Sequence, residues 1–97
     1  FHMSNTIYGM INRGYDEKSA LQNFDAIDSA LADLGDNVIL IKVNPTDINR
    51  SSAEHGSDLT PYFNWFNLLF ERSKIANKYE INYHGIDGLV EQLKNKL

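Results

Sequence analysis

The feature that most constrains this chain is the run Val38-Ile39-Leu40-Ile41, extended by Val43 after a single break at Lys42. A continuous apolar run of this length reads as a central strand buried on both faces, as in a parallel sheet covered by helices. Asn44-Pro45 ends it. With 97 residues in all, the chain has room for one hydrophobic core, so whatever covers that strand must come from its immediate neighbours.

The cover is legible on both sides. Upstream, Leu21, Phe24, Ile27, Leu31 and Leu34 recur at steps of three and four, and Ala20, Ala26 and Ala30 widen the stripe. Asp16 is placed to cap this helix, with Glu17 in its first turn, and Gly35 stops it. Asp25, Asp28, Asp33 and Asp36 read as its wet face and its end. Before it, Ile7, Gly9 and Ile11 alternate with Tyr8, Met10 and Asn12, which predicts a first strand over Thr6 to Asn12 broken by Arg13-Gly14-Tyr15. Phe1 and His2, ahead of Met3, read as a scar left by expression cloning and are set aside, so the domain spans residues 3–97.

Downstream, residues 46–59 are polar and predict one long loop. Thr60-Pro61 opens a helix running to about Asn77. Tyr79, Ile81 and Tyr83 alternate with polar residues as a short third strand. Asp87 can cap a last helix whose Leu89, Val90, Leu93 and Leu97 share one face. The order β-α-β-α-β-α predicts an α/β fold, a small three-layer or two-layer domain with a short, mostly parallel sheet. The third strand could instead run antiparallel at an edge.

Composition removes several function classes. There is no cysteine, which excludes disulfides, thiolate catalysis, cysteine-ligated zinc and iron–sulfur clusters. The net charge of -4 argues against binding to a nucleic-acid backbone, and no acidic block suggests a DNA mimic. No apolar run approaches a membrane span and no leader of the signal-peptide type is read, so the expectation is a cytoplasmic protein without membrane partners. No Walker loop, paired glycine fingerprint or nucleophile elbow occurs, and no cofactor is expected. Glu54, His55 and Asp58 lie close together in the loop but match no metal spacing, so no metal site is expected.

Two features could carry function. The helix after Pro61 has a polar stripe of Asn64, Asn67, Glu71, Lys74 and Lys78, and is otherwise apolar and aromatic: Tyr62, Phe63, Trp65, Phe66, Leu68, Leu69 and Phe70. One sheet face cannot cover so wide an arc. Either the helix is buried between the sheet and a neighbouring helix, or part of the arc, with Tyr62, Trp65, Phe66 and Leu69 as anchors, contacts a protein partner or a second subunit. The other feature is topological. In an open parallel sheet, ligands bind beyond the carboxyl ends of the strands. There Arg13 could hold an anionic group, Asn44 and Asp87 could orient a small molecule or nucleotide, and His84 could act as acid or base. These residues serve equally as caps and turns.

The strand Ile7-Tyr8-Gly9, the helix Asn23 to Gly35 (NFDAIDSALADLG) and Val38 through Asn44-Pro45 together resemble the opening of nucleoside 2-deoxyribosyltransferase-like proteins. The resemblance covers about 40% of the chain. It implies a nucleotide-like ligand near Gly9, Arg13 and Asn44. That family carries a catalytic glutamate near a Ser-Gly segment after a third strand. Glu80 and Glu91 do not match it, so a relative of this kind would be shortened and without transferase activity. The ending, Tyr83 to Leu97, has a glutaredoxin-like look, but lacks the cysteine and an obvious cis-proline site. The leading expectation is therefore a non-enzymatic protein-interaction module: a small regulator, an inhibitor or immunity-type factor, or a phage accessory protein. A small-molecule or nucleotide-binding domain is the alternative.

Overall fold

Met3, Ile7 and Ile11 are spaced by four residues, a step that keeps them on one face of a helix and of a strand alike. The computed structural model describes residues 2–44, 48–82 and 86–96, with the backbone alone at 48, 50, 51, 54, 86, 87, 89 and 96. In it the segment expected to be a first strand is a helix, α1 (His2–Asn12), which buries Met3 and Ile7. The expected first strand is corrected accordingly. Gly14, at φ +68°, turns the chain back so that Tyr15 N–H donates to Gly9 O at 3.0 Å. His2 is not peripheral: it is buried and stacked on Phe24 at 4.7 Å between ring centroids.

Helix α2 (Glu17–Ala32) begins as its residues dictate, with Asp16 Oδ2 accepting from Ser19 N–H at 3.0 Å. Its buried face is Ala20, Phe24 and Asp28, a step of four, while Ile27 and Leu34 stand exposed. A single turn of tighter helix (Gly35–Asn37) then leads to strand β1 (Leu40–Asn44). Residues 48–55, expected within the long loop, form helix α3 (Ile48–His55). The aromatic helix α4 (Thr60–Arg72) starts at the Thr-Pro pair, as its sequence predicts. It ends five residues before Asn77, because Ser73 leaves helical geometry at ψ 136° to bond with Asp28. Strand β2 (Lys78–Asn82) and helix α5 (Ile86–Lys96) complete the chain.

The architecture is a small mixed α/β domain with a two-stranded parallel sheet, β1 beside β2. The pairing runs Leu40–Lys78, Ile41–Tyr79, Lys42–Glu80, Val43–Ile81 and Asn44–Asn82. Helix α1 packs on both α2 and α4, and α5 packs on β2. The core lies where α1, α2 and α4 meet: Met3, Ile7, Phe24, Leu69 and Phe70 are buried there, and Leu40 brings one face of the sheet against them. Because the expected first strand is a helix, β1 is an edge strand. The double burial predicted for it does not occur.

Candidate interaction surface

Leu40 N–H donates to Asn77 O at 2.9 Å, across the pair from β1 toward β2. In a parallel ladder the residues that face the neighbouring strand alternate, so Leu40, Lys42 and Asn44 spend their backbone groups on β2. Ile41 and Val43 therefore direct their N–H and C=O groups to the other edge, where no described strand pairs with them. Their side chains lie on the face away from the core and are 37% and 41% exposed; Ile39, just ahead of the strand, is 44% exposed. Helix α5 packs along β2, where Ile81 is buried, and leaves this apolar strip on β1 open.

Edge strands of soluble proteins are usually guarded by a charge, a proline or a bulge. The only charge on β1 is Lys42, and it is turned inward. Its Nζ lies 2.8 Å from Glu80 Oε1, donates to Asn67 Oδ1, and stands 5.3 Å from the centroid of Phe70. Lys78 approaches the same ring, and its Nζ donates to the carbonyls of Phe70 and Ser73. The bond from Lys42, with help from Asn44 Nδ2 at 2.9 Å, holds the Glu80 carboxyl below its ordinary range.

Beside β1 a cleft of about 280 Å³ runs the whole length of the strand and is lined by all five of its residues. Its other wall is Met3 and Ser4 of α1 with Phe63, Phe66 and Asn67 of α4. The strand's open edge and the aromatic helix thus border one apolar groove.

The sequence-derived candidates fall as follows. Leu69 is 1% exposed and belongs to the core rather than to a contact surface. Tyr62, Trp65 and Phe66 are half-buried against that core, and Tyr62 Oη donates to Asn12 Oδ1 at 2.6 Å, tying α4 to α1. Of the four, only Phe66 lines the cleft along β1. Trp65 borders a shallow groove with Leu68 and Pro61. Arg13 follows a helix, not a strand, and its guanidinium lies 5.1 Å from the Tyr15 ring centroid. The strand-end crevice thereby loses the strand that was to present Arg13. Asn44 does end β1, and bonds Glu80 and Asn82. His84 and the side chain of Asp87 lie outside the described residues. Asp58 accepts from Thr60 N–H at 2.9 Å and serves as a cap.

Sequence reasoning missed one polar cluster. Asp28, 2% exposed, accepts from Ser73 Oγ at 2.6 Å and Lys74 N–H at 2.7 Å, and lies 2.9 Å from His2 Nε2. Burial pushes its carboxyl up, but the bonds from Ser73, Lys74 and His2 together outweigh that and hold it below the ordinary range. The residue types suggest a hydrolase triad, yet the order is wrong: Ser73 and His2 both bond the carboxylate, and the hydroxyl does not bond the imidazole. A nucleophile needs that second contact to lose its proton. The cluster is a clamp between α2 and the end of α4. Its signal was present at Asp28 itself, four residues after Phe24 on the same face.

Searches against protein-family models, curated proteins and solved structures found no match to this chain. The strand that opened the resemblance to deoxyribosyltransferase-like proteins is part of α1. No described helix is long and apolar enough to cross a membrane.

Proposed function

We propose that this chain is a non-enzymatic protein-interaction module, and that its contact surface is the open edge of β1 together with the flanking aromatic cleft. One observation carries the reading: an unguarded strand edge whose exposed residues, Ile39, Ile41 and Val43, are all apolar. Unpaired N–H and C=O groups beside apolar side chains are what an added strand satisfies, a recurrent mode of protein recognition. The aromatic helix contributes through Phe63 and Phe66 along the cleft rather than through Leu69. The polar groups best placed for chemistry are instead committed to structure, with Asp28, Glu80 and Asp25 each bonded by a partner across the fold.

The test is a photo-crosslinking residue, p-benzoylphenylalanine, introduced at Val43 and, as a control, at the exposed Asp33 on the far end of α2. In cells expressing each variant, irradiation should give a discrete protein adduct from position 43 and none from position 33. A folded position-43 variant that yields no adduct, or the same adducts as position 33, would overturn the proposal.

A further inference from the structure

We draw no further inference here: the strongest candidate, the apolar strip of Ile39, Ile41 and Val43 on the open edge of β1 with the cleft lined by Phe63 and Phe66, belongs to the surface already described, and nothing in the structure shows what covers it.

Discussion

Asp28 shows how one side chain can hold three segments. A carboxylate has lone pairs for all three of its donors, Ser73 Oγ, Lys74 N–H and His2 Nε2. An amide in its place keeps one oxygen and turns an NH2 group toward donors. Asp28→Asn should therefore destabilise the fold by about 2–3 kcal/mol, as expected when buried partners are left unsatisfied. Urea unfolding at neutral pH, followed by circular dichroism, measures this; a change within about 0.5 kcal/mol, the range of ordinary surface substitutions, would refute it. The same residue sets an acid limit. Its folded-state carboxyl lies below the ordinary 3.8, so ionised Asp28 contributes stability that is fully present above that value. That contribution is lost as pH falls through the lower folded value. Asp25, bonded by Arg72, and Glu80, bonded by Lys42, are depressed in the same direction. Denaturation midpoints should be flat from pH 7 to 5 and fall steeply below about pH 4, with a shallower acid fall in Asp28→Asn.

The elements divide by how local their signals are. Asp16, Thr60-Pro61 and the amphipathic pattern of α2 are local, and the structure has a cap or a helix at each. The alternation at Ile7, Gly9 and Ile11 is equally local but ambiguous. Met3, Ile7 and Ile11 share a face in a strand as in a helix, so that step does not choose between them; what holds α1 is its packing on α2 and α4. The edge position of β1 follows from that correction and not from any residue of β1 itself; nothing within Val38–Val43 distinguishes a central strand from an edge strand whose neighbour became a helix. The aromatic arc of α4 announced two fates, and the structure assigns them residue by residue. Leu69→Ala removes a side chain that is 1% exposed and should cost about 2–5 kcal/mol. Leu68→Ala, beside it but 59% exposed, should stay within about 0.5 kcal/mol. Thermal unfolding of the two variants side by side checks both. Equal losses would mean that α4 is rotated from the orientation described here.

At the scale of the whole molecule, occupation of the β1 edge by a partner and stability are linked. A partner bound only by the folded state raises apparent stability by RT ln(1 + [L]/Kd) in the simplest case. At ten times the dissociation constant this is about 1.4 kcal/mol. For a domain of this size each kcal/mol moves the midpoint by about 4–8 °C. The Tm should therefore climb by several degrees when the partner captured at position 43 is added at ten times its dissociation constant. Ile41→Lys places a charge on the open edge while leaving the α1–α2–α4 core untouched, so its Tm should stay at the partner-free value throughout. The comparison separates a paired edge from a merely sticky one. Non-specific association through the aromatic cleft would persist in Ile41→Lys and be lost instead on polar substitution of Phe63. In the unmodified chain, a Tm unmoved by that partner would mean that the β1 edge holds no stable contact with it.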